Sequence, residues 1–285
     1  MPNPSFILPL LLQSALLPFA VAMATLLALR ALRLPHWAAL MAVALGFLVS
    51  YGAIYHGQWS WWPVQALDWF APCVVLGAGA IMVVERATSN AVRVVGRWLI
   101  AVLFVALPLG SALMGASGLK ALWVVVLASG LMFVAWSYFA TTLAQRQTAP
   151  LTLAIVAGGA ALAMMLDASQ LIGQLSGALA TVLLTCLLVN LGGTRVAFSA
   201  AASGLAVLIL GTLLATAYLY ASFPLSYVVL LAMALLADPL VAAVTRWRGR
   251  GEGVASWLAT GALSGVPVLA TVVLAAMAMQ ESGGY

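Results

Sequence analysis

Charge is what this chain has least of: only 6% of its 285 residues are charged, 11 basic and 6 acidic, where a soluble domain carries roughly a quarter. The deficit excludes a soluble globular enzyme. A disordered chain is excluded by the 65% hydrophobic content, and the net charge of +5 is too thinly spread for nucleic-acid binding. Histidine is nearly absent. With only His36 and His56, no pair is available to ligate a haem within a bilayer. Cysteine is equally scarce: Cys73 and Cys186 both lie in apolar runs and form no CxxC, so neither a disulfide framework nor a zinc site is indicated. Aspartate-rich pyrophosphate motifs are missing, as is the line of mid-membrane Lys, Glu and His that a proton-pumping antiporter-like subunit needs. Gly115-Ala-Ser-Gly118 matches a short serine-protease pattern, but Ser117 falls in a turn and no late-helix histidine could pair with it. The expectation is a protein that is no enzyme and carries no cofactor.

What remains is apolar sequence in long blocks. A membrane-spanning helix needs about 20 mostly apolar residues, and ten segments qualify: 5–29, 37–55, 67–84, 98–114, 121–140, 150–166, 171–191, 196–221, 224–245 and 254–279. The class is an all-α polytopic membrane protein forming one transmembrane domain over 1–285. A β-barrel is excluded because the blocks lack period-2 alternation. Of the basic residues, ten arginines follow odd-numbered segments and only Lys120 lies on the other side. Because short loops rich in Lys and Arg stay in the cytoplasm, this alternation places both termini outside, in a cell membrane. Residues 1–6 carry no basic n-region of a signal peptide, so the first span is expected to be retained.

Weak self-similarity suggests a parallel duplication. Trp98-Leu99 precedes Pro108 as Trp257-Leu258 precedes Pro267, and Gln13 in the first span has a counterpart in Gln174 of the seventh. On this reading 1–114 is a first repeat, 115–170 a linking helix pair and 171–285 a second repeat. Ten spans in this length resemble the size of the drug/metabolite transporter superfamily. That resemblance implies five-plus-five inverted repeats with cytoplasmic termini, and the chain departs on both points. The stretches Ala168-Ser-Gln-Leu-Ile-Gly-Gln-Leu-Ser-Gly-Ala178 and Tyr218-Leu-Tyr-Ala-Ser-Phe-Pro-Leu-Ser226 resemble uncharacterised polytopic bacterial inner-membrane proteins, which implies a membrane location and no activity.

Few residues are left to carry function. Asp238 is the one acid well inside a span, about 21 Å from Pro224 and about 12 Å from Arg246 along a helix. A carboxylate there costs at least about 2.5–3.5 kcal/mol, so it should face the bundle interior or a wet cavity. Pro239 cannot bond the Leu235 carbonyl, which is expected to be free beside it. Asp238, Gln13 and Gln174 are therefore the candidate transport or coupling residues, with a structural kink and interhelical hydrogen bonding as the plainer roles. A second candidate lies at the outer rim, where His56, Trp61, Trp62 and Asp68 could contact a solute; an interfacial aromatic belt explains the same residues. Gly173/Gly177 and Gly261/Gly265 form small-xxx-small pairs for close helix packing. Prolines 18, 72, 108, 239 and 267 are expected to break helices. Two functional readings stand: a transporter of a small neutral or cationic solute, or a non-catalytic scaffold, accessory subunit or lipid-handling protein. The partners are the lipid bilayer, a small solute on the first reading and membrane proteins on the second, with no nucleic acid.

Overall fold

The computed structural model describes residues 4–56, 63–142, 148–191, 198–247 and 254–281, and every regular element among them is helical. The first crossing is α1 (Pro4–Leu11), a π turn (Leu12–Leu16) and α2 (Leu17–Ala31). It is followed by α3 (Pro35–Ile54), a 3₁₀ turn (Ala66–Trp69), α4 (Phe70–Arg86), α5 (Asn90–Ala106) and the single-turn α6 (Gly110–Leu113). Then come α7 (Gly118–Thr142), α8 (Ala149–Asp167), α9 (Gln170–Leu191), α10 (Ala200–Tyr220), α11 (Leu225–Leu235), α12 (Ala237–Trp247) and α13 (Val254–Glu281).

Among the described residues nine stretches are long and apolar enough to cross a membrane. The segment expected at 98–114 is not among them, because Pro108 interrupts it. Its helix starts earlier, at Asn90, and stops at Ala106. It nevertheless runs alongside α10 from end to end. The Arg97 guanidinium lies 5.5 Å from the Trp136 ring, whose Nε1 donates to the Ala200 carbonyl at 3.1 Å, while Ser111 Oγ is 2.9 Å from the Tyr220 hydroxyl at the far end of α10.

At the centre stands α10, with 89% of its most apolar stretch buried, against 22% for the corresponding stretches of α7 and α13. Its sequence explains the position: small residues on all sides let neighbouring backbones approach. The Trp136 ring seats directly on Gly204, where a Cβ would overlap it. Similarly Gly173 lies 2.8 Å from the Ala161 carbonyl oxygen, measured from where its Cβ would stand. The other small-xxx-small pair behaves differently. Nothing lies within 4 Å of a Cβ at Gly261 or Gly265, and α13 instead docks on α8 through Val268 against Gly159.

The prolines divide the same way. Pro72 falls in the first turn of α4, where its missing N–H costs nothing, and Pro267 is carried inside an unbroken α13. Pro18 and Pro108 do disturb their helices, and each leaves a carbonyl four residues earlier without its helical donor. In both cases a threonine hydroxyl from a neighbouring helix donates instead: Thr181 to Ser14 O and Thr212 to Phe104 O, each at 3.2 Å. This is the repair that the absence of water in a bilayer demands.

Candidate functional site

Three helices fail to close on each other along one side of the bundle. Each contributes a stripe at helical spacing: Lys120, Val124, Ala128, Met132 and Ala135 from α7; Val207, Leu210, Gly211, Leu214, Ala215 and Tyr218 from α10; Leu225, Val228, Ala232 and Leu235 from α11. Small side chains at Ala128, Ala215 and Ala232 leave a groove of about 520 Å³, well within the size of ligand pockets, while Met132 lies over Gly211. Its floor is the central helix, with Leu210 2% exposed, and its rim is open, with Trp123 60% and Leu127 67% exposed. Between Lys120 and Ala135 it runs about 22 Å.

The two ends differ. At one end the Lys120 ammonium lies 4.8 Å from the Tyr218 ring centroid. One turn past Ala135 and Leu235 at the other end, the Tyr138 hydroxyl donates to Asp238 Oδ2 at 3.4 Å. Asp238 is only 1% exposed and sits in the first turn of α12, just after the helix breaks at Leu236. The break therefore falls where Pro239 was expected to free the Leu235 carbonyl.

Gln13 and Gln174 are placed elsewhere. Gln13 lies half-buried in the π turn, which packs on α9, and Gln174 lies half-buried on α9, one turn from Gly177, which faces Ser14. The two glutamines lie on elements that pack on each other, whereas Asp238 lies on α12, which packs on α8 and α13, and is bonded by Tyr138 of α7. Neither glutamine lines the groove. A shallower apolar depression of about 440 Å³ beside the first crossing, lined by Leu8, Leu12, Phe19 and Leu184 among others, also excludes both.

At the rim expected to face outward, His56 is exposed just past the end of α3, while Trp61 and Trp62 lie outside the described residues. Asp68 is folded inward and 2% exposed, its Oδ2 accepting from the backbone N–H of Val64 at 2.9 Å and Gln65 at 2.8 Å. That makes it the N3 acid of a capping box, reaching back to the Gln65 cap of the 3₁₀ turn entering α4. Tyr51 donates to the Leu67 carbonyl and Tyr55 to Gln65 Oε1, closing the same turn onto α3. Burial, with the Asp68 carboxylate beside it, pushes the Tyr55 phenol up to about 12.

One site escaped sequence reasoning altogether. Arg97 and Glu85 form a bidentate pair, both contacts 2.8 Å, with side chains only 8% and 14% exposed. Glu85 lies on α4 and Arg97 on α5, twelve residues apart across the loop that joins the two helices. Among the described residues no group of His, Cys, Asp and Glu is arranged to hold a metal. In comparisons with protein families, curated proteins and solved structures, none matches this chain.

Proposed function

We propose that this chain handles a membrane lipid, holding one hydrocarbon chain of it in the groove between α7, α10 and α11. The observation that carries the reading is the lining: over about 22 Å the walls are apolar, and the polar groups of the groove, Lys120 and Tyr218, sit together at one end. A water-soluble solute would find no hydrogen-bonding partner along such a path, whereas a methylene chain needs none. Its open rim faces the space that lipid occupies around a bundle of this kind, so a chain can enter sideways.

The test is lipid retention. Ala232 is half-buried in the groove wall, so Ala232→Trp fills the groove without invading the helix core. Purified in mild detergent, the wild type should retain a tightly held lipid by native mass spectrometry, and Ala232→Trp, equally monodisperse and helical, should lose it about tenfold. Equal retention in both proteins would sink the reading.

Movement of a small neutral or cationic solute is supported by a separate observation, the interrupted α11–α12 helix with a buried acid in the first turn after the break. Reconstituted uptake measured for Asp238→Asn decides it. Unchanged transport of every solute that the wild type moves, with unchanged pH dependence, would remove Asp238 from any transport role.

A further inference from the structure

We propose that the Lys120 end of the groove selects an anionic phospholipid, its ammonium neutralising the headgroup while one acyl chain lies between α7, α10 and α11. The inference rests on the lipid reading above and adds the class of headgroup. Lys120 is the only lysine in the chain. It is the third residue of α7, exposed, and its flexible stem lets the charge reach headgroup depth. Among the described residues the one ion pair is Arg97–Glu85, so Lys120 meets no carboxylate; it rests on the face of Tyr218. A charge in that position is free to take an anionic partner from outside the chain.

The groove fixes where that partner must be. A chain lying in it is anchored with its polar end at Lys120, because the walls beyond are apolar as far as Leu235. The run of about 22 Å exceeds half of a hydrocarbon core about 30 Å thick, so the bound chain is held more extended than its neighbours in a fluid leaflet. A zwitterionic headgroup would set a second cation beside the Lys120 ammonium and on the aromatic face that it already covers. An acidic headgroup brings phosphate without that cation.

The experiment uses the full chain, stripped of lipid in detergent and offered phosphatidylglycerol, phosphatidylcholine or a polyprenyl phosphate, with binding read by native mass spectrometry for the wild type, Lys120→Gln, Lys120→Arg and Ala232→Trp. The arginines at the opposite end contribute equally in all four proteins, so the readout is the difference between them. Lys120→Gln should lose about fivefold of the preference for phosphatidylglycerol over phosphatidylcholine while still binding phosphatidylcholine, and Lys120→Arg should keep that preference. An unchanged preference in Lys120→Gln overturns the headgroup assignment and leaves the lipid reading standing. Stronger binding of polyprenyl phosphate than of phosphatidylglycerol overturns the phospholipid assignment, as does a co-purified protein that Ala232→Trp releases. Failure of Ala232→Trp to change any lipid's binding overturns the lipid reading itself.

Discussion

Thr212 offers the sharpest test of how this fold tolerates its prolines. Pro108 has no N–H to give the Phe104 carbonyl, yet the flanking bonds of the same turn are intact, Leu107 N–H to Leu103 O at 3.1 Å and Leu109 N–H to Val105 O at 3.2 Å. One rung is missing from a nearly regular ladder. The Thr212 hydroxyl, 1% exposed on the central helix, supplies it at 3.2 Å while also lying 2.7 Å from its own Leu208 carbonyl. One proton is thus shared between two acceptors. Interhelical hydrogen bonds in membranes average about 0.6 kcal/mol and reach about 1.7, and an acceptor left bare without water costs more than a bond exchanged for another. Thr212→Val, which keeps the shape, should therefore cost about 1 kcal/mol. In a Pro108→Ala background the new N–H points at Phe104 O between two formed rungs, and the same Thr212→Val change should cost close to nothing. The double-mutant cycle, measured by reversible unfolding in mixed detergent micelles, should give a coupling of about 1 kcal/mol. A Thr212→Val cost that is the same with proline or alanine at 108 would refute the argument, because the hydroxyl would then serve only its own helix.

Three further outcomes follow from the geometry. Arg97→Met strands the Glu85 carboxylate, 14% exposed, and should destabilise the fold by about 3–5 kcal/mol; the Glu85→Gln/Arg97→Met double variant should recover most of it in the same unfolding assay. Gly261→Leu and Gly265→Leu meet open space and should leave yield and unfolding unchanged, whereas Gly159→Leu, driven into Val268, should abolish monodisperse protein on size exclusion. Tyr55, with its phenol raised to about 12 from an ordinary value of 10, binds its proton more tightly folded than unfolded. Its contribution to stability is complete below about pH 10 and lost as pH rises from 10 to 12, so the alkaline decline in stability should be shallower in Tyr55→Phe.

The class could be read from the chain because bilayer thickness dictates span length and water-free backbone dictates helix, whereas nine and not ten of the described stretches are long and apolar enough to cross. The prolines were legible as punctuation but not in their consequences. Pro18, Pro72, Pro108, Pro239 and Pro267 carry the same local chemistry, and what separates them is position and neighbours: Pro72 falls in a first turn, Pro18 and Pro108 have a threonine within reach on another helix, and Pro267 does not interrupt α13. Those threonines lie 167 and 108 residues in sequence from the carbonyls that they serve. Charge misled in a different way. Arg97 obeys the topological rule that short loops keep arginine on one side, so nothing in the pattern distinguishes it from an exposed neighbour; its bidentate contact with Glu85 comes from α5 folding back along α4.

The groove was illegible for a more general reason. In water a lining of leucine, valine and alanine announces burial, but a bilayer rewards the same residues on the outer face, in the core and along a lipid-binding slot alike. Leu127 and Leu210 cannot be told apart by hydropathy, though one is 67% exposed and the other 2%. What distinguishes the groove is a deficit of volume: Ala128, Ala215 and Ala232 are small on three different helices that line it, a coincidence visible only once the helices are side by side. The charge at its mouth was legible and was read as an exception. Lys120 broke the rule that placed every arginine on the other side, and topology has no use for a lone cation there. A cation retained at the mouth of an apolar groove has a use that topology does not supply, which is to hold the charged end of whatever fills it.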